Sequence, residues 1–137
     1  MPHSHFVHLT NHTAYSLAEG ALQVKELIKN CKEKLMPAVG ITDSGNLFGA
    51  LEFSVLASEA GIQPIIGAKL CINRNESRVS DVKHANTIND HGSLEPDKIV
   101  LIVQNEVGYK NLLDLVSVSF IESNGSEKPQ IFLSDLE

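Results

Sequence analysis

The chain has 137 residues, of which 42% are hydrophobic and 20% charged, values that fit one folded domain. Its formal net charge of −6 argues against a chain that grips nucleic acid by itself, because that grip depends on clustered Lys and Arg. No apolar run approaches the ~20 residues that a membrane span needs, and the first residues lack the features of a secretion signal. We therefore expect a cytoplasmic protein with no membrane partner.

The first half of the chain predicts a strand, a helix, a second strand and a second helix. Residues 6–12 alternate between two faces, as a half-buried strand does. A helix is predicted over 21–35, where apolar residues recur at i, i+3, i+4, i+7 and i+11. Residues 38–42 form a short apolar run that is typical of a buried strand. The next helix is predicted over 47–60, with Gly61 as its C-terminal cap.

The second half predicts two more strands and a third helix. Strands are predicted over 64–72 and 98–103, and a helix over 106–121. Between the strands, residues 73–96 are polar, and we expect an irregular loop there. The alternation of strands and helices predicts an α/β fold in which all four strands run parallel.

The last residues resemble the beginning of another helix. After an extended piece at 130–133, the pattern Ser134-x-x-Glu137 has the form of a capping box. A polar tail is the alternative. Four parallel strands are also about half of a closed barrel, so we expect a fragment of something longer.

Two cysteines and four polar residues are candidates for chemistry. Cys31 and Cys71 show no metal-binding spacing, and we expect buried, reduced thiols. Imidazole and carboxylate groups collect near predicted strand ends, where they could bind Zn or Mn and activate water against a phosphate ester. Solvated loop ends are the alternative for these groups, which are His8, His12, Glu19 and Asp43.

A further candidate is the pair Gly45-Asn46 before the second helix. The N-terminus of a helix can bind an anion. The alternative is an ordinary turn with an N-cap, and the residue types favour it.

Several stretches in order along the chain resemble one family. Residues 6–20, 41–53, 60–67, 105–113 and 128–131 resemble the PHP (polymerase and histidinol phosphatase) domain. The likeness is greatest to this domain in bacterial DNA polymerase III alpha subunits. It implies the N-terminal part, 1–137, of a seven-stranded, TIM-like β/α barrel. Relatives hold up to three metals at the carboxyl ends of the strands, while the polymerase site lies in other domains.

The resemblance also implies which ligand positions survive here. Of the six alignable ligand positions, His12 and Glu19 are retained, and Asp43, which is not one of the six, is retained beside them. The other four positions carry residues that do not fit the pattern: Thr10, Ser44, Lys69 and Lys98. A protonated Lys has no lone pair and repels a divalent cation. We therefore expect no metal, no cofactor and no catalytic residue, and we expect Lys69 or Lys98 to pair with Glu19 or Asp43.

The resemblance implies a non-catalytic structural and binding module of a replicative polymerase. Its partners would be the rest of the alpha subunit and the proofreading exonuclease subunit, with DNA reached only through the full-length DNA-directed DNA polymerase. The alternative is an active metal-dependent phosphoesterase or 3′–5′ exonuclease. A stand-alone phosphatase of the histidinol-phosphate type is a third hypothesis. Because half a barrel leaves strand edges uncovered, we also expect the fragment to self-associate.

Overall fold

The computed structural model describes residues 3–73, 96–122 and 129–136 of the chain. Within these residues it contains three α-helices and four β-strands, and none of these helices is long and apolar enough to cross a membrane. In chain order they are α1 (Val24–Glu33), β1 (Ala38–Ser44), α2 (Ala50–Glu59), β2 (Gln63–Asn73), β3 (Asp97–Ile102), α3 (Glu106–Ile121) and β4 (Gln130–Phe132). The expected polar loop at 73–96 lies, apart from its two ends, outside the described residues.

All four strands form one mixed sheet with β2 at its centre. β1 runs parallel to residues 63–69 of β2, so that Ser44, the last residue of β1, lies beside Lys69 within β2. β3 runs antiparallel along the opposite edge of β2. β4 pairs in parallel with the last three residues of β2, on the same edge as β1.

The expectation that all four strands run parallel is therefore wrong for β3. A parallel neighbour needs a crossover connection, which is usually a helix, to bring the chain back to the starting end. The sequence between β2 and β3 lacks the apolar periodicity of such a helix. An antiparallel partner needs only a reversal of direction, and this is the arrangement that the chain adopts.

The predicted strand at 6–12 is also wrong as a regular element, although the segment does lie along β1. The N–H groups of Gly40 and Thr42 donate to the carbonyls of His8 and Asn11, both at 2.8 Å. The step of three residues from His8 to Asn11 thus lies opposite the step of two residues from Gly40 to Thr42, and this mismatch interrupts the regular ladder of backbone hydrogen bonds. The Asn11 side chain donates to the Gly40 carbonyl at 2.8 Å and supplies the missing bond. A Cβ on Gly40 would lie 2.5 Å from the Leu9 carbonyl oxygen, so this close approach requires glycine.

The core has two parts, one on each half of the sheet. The first joins α1 and α2 to β1 and confirms four positions of the predicted stripe, namely Val24, Leu27, Ile28 and Cys31. The fifth position, Leu35 at i+11, is wrong, because Leu35 lies beyond the end of α1 and is 45% exposed. The second lies between β2, β4 and α3 and is built around Leu70, Leu112 and Ile131. Both cysteines are free thiols; Cys31 is buried as expected, whereas Cys71 is half-buried.

Helices α1 and α2 end in the same backbone motif but with different residues. After α2, Gly61 has φ +74° and Ile62 N–H donates to the Ala57 carbonyl, which confirms the predicted glycine cap. After α1, Leu35 has φ +55° and Met36 N–H donates to the Cys31 carbonyl. Leu35 therefore holds a left-handed conformation that its Cβ disfavours.

Replacing Leu35 by glycine is expected to raise the free energy of unfolding by about 0.5–1 kcal/mol, because glycine removes the left-handed strain. Urea unfolding followed by circular dichroism measures the change. The matched control is Lys34→Gly, where φ is −89° and glycine brings only added chain entropy and lost stability. Equal losses of stability in Leu35→Gly and Lys34→Gly would contradict the left-handed strain that is assigned to Leu35.

The expected helix start at Ser134 is corrected to a short turn. A 3-10 helix spans Leu133–Leu136, so Ser134 lies inside it rather than capping it. The side chain of Asp135 accepts a hydrogen bond of 2.8 Å from Phe132 N–H. Glu137, the other half of the predicted capping box, lies outside the described residues.

Candidate functional site

The candidate site lies where β1 ends beside Lys69 of its parallel neighbour β2. Ser44 and Lys69 are paired neighbours in the sheet. The chain between His12 and Gly20 turns across the end of β1, and Thr13 forms an isolated bridge with Leu22. This brings residues from three separate stretches of sequence together at the carboxyl end of β1, and α/β folds build their sites at the carboxyl ends of parallel strands.

Asp43 fixes this turn to the end of β1. Its side chain is buried, with an exposed fraction of 2%. One carboxylate oxygen accepts from Thr13 N–H and from Ser16 Oγ, both at 2.6 Å, and the other accepts from Thr13 Oγ1 at 2.8 Å. Three donors thus compensate a carboxylate that has lost its water. The Ser16 hydroxyl in turn accepts from Ser44 N–H at 3.0 Å, which closes the connection to β1.

The turn that follows presents Glu19 to Lys69 of β2. Glu19 N–H and Gly20 N–H both donate to the Ser16 carbonyl, at 3.0 and 2.9 Å. Ala18, which lies between Ser16 and Glu19, has φ +64°. A Cβ on Gly20 would lie 2.1 Å from the Thr13 carbonyl oxygen, so only glycine allows the chain to pass here. Backbone geometry therefore directs the Glu19 side chain.

Lys69 and Ser44 converge on Glu19. Lys69 Nζ lies 2.5 Å from Glu19 Oε2, and Ser44 Oγ donates to the same oxygen at 2.6 Å. The Lys69 hydrogen bond, followed by the Ser44 hydrogen bond, lowers the pKa of Glu19 to about 2. The predicted pairing of Lys69 with Glu19 is confirmed by this contact. Lys69 and Ser44, which the resemblance implies as replacements of metal ligands, thus both form hydrogen bonds to Glu19, which it implies to be a retained ligand position.

His12 completes the cluster. Its Nε2 lies 3.2 Å from Lys69 Nζ. Because an ammonium can only donate, Nε2 is the acceptor in this contact, and Nδ1 is the other ring nitrogen. That Nδ1 is buried and has no hydrogen-bond partner in the part of the chain that the structure describes. A metal-bound histidine normally donates its other ring N–H to a carbonyl or carboxylate, and His12 lacks this support.

The other candidate positions lie around the cluster rather than in it. His8 is exposed, and its ring packs edge-on against Phe6 with the ring centroids 4.6 Å apart. Thr10 is exposed. Lys98 lines a cavity of about 350 Å³ together with Glu19, Ser44, Lys69 and Cys71. Across residues 3–73, 96–122 and 129–136, no three His, Cys, Asp or Glu side chains gather in a metal-binding arrangement.

Asn46 forms side-chain hydrogen bonds within the turn before α2, as its residue type predicts. Its side-chain oxygen accepts from Phe48 N–H at 3.2 Å, and its nitrogen donates to the carbonyls of Tyr15 and Ser44, both at 3.0 Å. The turn expected at Gly45-Asn46 is therefore confirmed, but the expected N-cap is wrong, because the N-cap of α2 is Gly49, which makes no side-chain capping hydrogen bond.

Sequence reasoning missed Thr13, Ser16 and Tyr15. Thr13 and Ser16 are fully buried and hold Asp43, and Tyr15 Oη donates to Glu52 at 3.0 Å. The available signal was the pair of hydroxyl residues three apart, since Ser and Thr favour local turns. Their distant partner, 27 to 30 residues further along the chain, leaves no local signal.

Comparison with known proteins assigns the family. The model of the PHP domain matches residues 8–137. The chain belongs to the PHP domain family. Three relatives are each named DNA polymerase III subunit alpha: those of Borreliella burgdorferi, 37% identical over 98% of the chain, Caulobacter vibrioides, 38% over 92%, and Mycobacterium leprae, 36% over 93%. The matched regions are 10–11% of these relatives, so this PHP domain chain spans about a tenth of their length.

Proposed function

We propose that this chain is the N-terminal portion of the PHP domain of a bacterial DNA polymerase III alpha subunit, and that it serves DNA replication as a non-catalytic structural and binding module. Identities of 36–38% to subunits of that name support the parent protein. The full-length parent would carry the DNA-directed DNA polymerase activity in other domains. DNA would be reached only through that protein, which fits the net charge of −6.

The observation that carries the non-catalytic role is the Lys69 ammonium between Glu19 and His12. It lies 2.5 and 3.2 Å from the side-chain atoms that a metal would need as ligands. The residues present therefore do not fit a divalent ion at this point, because the ammonium repels it and no acceptor among the described residues supports the His12 Nδ1. The chain's own cation takes the place of the metal, and no cofactor is required.

Metal analysis of the purified protein tests this proposal. After incubation with Zn²⁺ or Mn²⁺ and removal of excess ion, the protein is expected to hold far less than one metal per chain and to release no nucleotides from 3′ ends. His12→Ala and the exposed His8→Ala serve as matched variants. Stoichiometric metal that is lost in His12→Ala but kept in His8→Ala would reject the proposal in favour of an active phosphoesterase or 3′–5′ exonuclease.

The parent protein and its partners are tested separately. We propose the rest of the alpha subunit and the proofreading exonuclease subunit as partners. An antibody against this chain is expected to detect a native polypeptide roughly ten times longer, since 134 matched residues are 11% of one relative. Co-purification of the exonuclease subunit with that polypeptide tests the second partner. A native product of this chain's own size would contradict the assignment.

The isolated chain is expected to self-associate through β3. Among the described strands β3 lies at the edge of the sheet, and its Val100 and Ile102 are 39% and 44% exposed. An apolar edge strand is a ready partner for another copy. Light scattering at tens of micromolar measures the mass, and Val100→Lys is expected to lower it. A wild-type protein that stays monomeric would contradict this prediction.

A further inference from the structure

Helix α2 is apolar on both its inner and its outer side. Toward the core it buries Ala50, Phe53 and Ala57. On the outer side, Phe48 and Leu51 are 75% and 76% exposed, and Val55 is 48% exposed. A helix that covers a single core is expected to present polar residues to water, whereas one that is apolar all round is covered on both sides. The outer side of α2 therefore has the composition of a contact surface.

The exposed apolar residues form one stripe with an acidic border. Phe48, Leu51 and Val55 follow the spacing i, i+3 and i+7, and Gly49 has helical dihedral angles that continue the turn to Phe48. Glu52 and Glu59, both exposed, border the stripe and are themselves seven residues apart. We call these five residues the α2 outer face. The sequence contains no Lys or Arg from position 44 to position 68, so no cation of this stretch offsets the two carboxylates.

The border is held in place by a neighbouring loop. Tyr15 Oη donates to Glu52 Oε2 at 3.0 Å, and the Tyr15 ring packs where a Cβ on Gly49 would lie, 2.8 Å away. The hydrogen bond to Glu52 raises the pKa of Tyr15, so the phenol remains a donor at neutral pH. A carboxylate that is already oriented loses less side-chain entropy when a partner binds.

We propose that the α2 outer face binds a helical segment of a separate protein that carries apolar residues at i, i+3 or i+4, and i+7, flanked by Lys or Arg. The apolar stripe fits the apolar side of such a helix, and its basic flanks would meet Glu52 and Glu59. A second copy of this chain fits poorly at this face, since it would bring the same two carboxylates against Glu52 and Glu59. This inference rests on the proposed role of the chain as a binding module.

The test uses a labelled synthetic helix of Leu and Lys, with Leu at i, i+3, i+4 and i+7, and fluorescence anisotropy. The wild-type chain is expected to bind it more weakly as salt rises, and not to bind a peptide of the same composition without the stripe. Leu51→Ser is expected to weaken binding about tenfold. Glu59→Lys is expected to weaken binding and to reduce its dependence on salt. Ile121→Ser is the matched control, because Ile121 is 80% exposed on α3.

Two results would overturn the inference. One is equal affinity of the peptide for the Leu51→Ser and Ile121→Ser variants, with both folded by circular dichroism. The other is a wild-type dimer that Leu51→Ser, but not Ile121→Ser, converts to a monomer, which would assign the α2 outer face to a second copy. Neither measurement depends on metal content, so this inference and the non-catalytic proposal can fail separately.

Discussion

Replacing Asp43 by alanine is expected to lower the free energy of unfolding by on the order of 3–5 kcal/mol. The carboxylate is 2% exposed and is the shared acceptor for Thr13 N–H, Thr13 Oγ1 and Ser16 Oγ. Alanine would leave these donors without their acceptor inside the protein. The hydroxyls can rotate toward other acceptors, but the backbone N–H of Thr13 cannot. Since domains are stable by only about 5–15 kcal/mol, this single change removes a large fraction of the total.

Urea unfolding followed by circular dichroism measures the Asp43 effect. Asp43→Asn keeps the shape but turns one acceptor into a donor, and it is expected to cost about 2 kcal/mol. Asp114→Ala, at an exposed position on α3, is the matched control and should change little. If Asp43→Ala were as mild as Asp114→Ala, the carboxylate would not be what fixes the turn to β1.

The second large effect concerns the ion pair between Lys69 and Glu19. Lys69→Met is expected to lower the free energy of unfolding by about 1–2 kcal/mol, between the values for exposed and buried pairs. The side chains of Lys69 and Glu19 are 16% and 38% exposed, so water screens the pair in part. The change also leaves His12 Nε2 without its contact to the ammonium.

A double-mutant cycle of Lys69→Met and Glu19→Gln isolates the interaction of this pair. The coupling energy is expected to be about 1 kcal/mol. The control is the same cycle on Lys110 and Glu106, an i,i+4 pair on α3 that is 2.9 Å apart and 69% and 81% exposed. That pair is expected to couple by only about 0.3–0.5 kcal/mol. Equal coupling in the two cycles would show that the Lys69 pair is an ordinary surface contact.

The pH dependence of stability gives an independent measure of the same contact. The pKa of Glu19 falls from 4.5 to about 2 on folding, chiefly through the Lys69 hydrogen bond. A group whose folded pKa is lowered contributes its full stabilisation above the unfolded pKa. That contribution is therefore expected to be complete above pH 4.5 and to be lost as the pH falls from 4.5 to about 2. Glu19→Gln should remove this part of the acid sensitivity, and unchanged acid unfolding in that variant would contradict it.

Elements with a strong local pattern could be predicted, and pairing between elements could not. The helix predicted over 106–121 coincides with α3, and the cap at Gly61 is where it was expected. The direction of β3 was wrong because strand orientation depends on the connection, and residues 73–96 contain no pattern that specifies one. The strand predicted over 6–12 failed because Asn11 uses its side chain in place of a backbone donor.

The candidate site was predictable where charge alone determines the contact. Lys69 in β2 and Glu19 in the loop before α1 could be expected to pair, and they do. The environment of Asp43 could not be foreseen, because Thr13 and Ser16 reach it only through the exact path of the turn around Ala18 and Gly20. Hydroxyl groups carry no charge that would signal a distant partner in the sequence.

The division of the core has a consequence for how the protein is made. The first hydrophobic cluster uses residues from Leu22 to Ile66 only, whereas the second extends from Leu47 and Ala68 to Leu136. During synthesis the first cluster can close while the rest of the chain is still inside the ribosome. The far end of β2 must wait for β4, whose three residues are made about sixty positions later. A pause in translation after β2 and before β4 would thus leave the nascent polypeptide with its first hydrophobic cluster formed and the end of β2 not yet paired with β4.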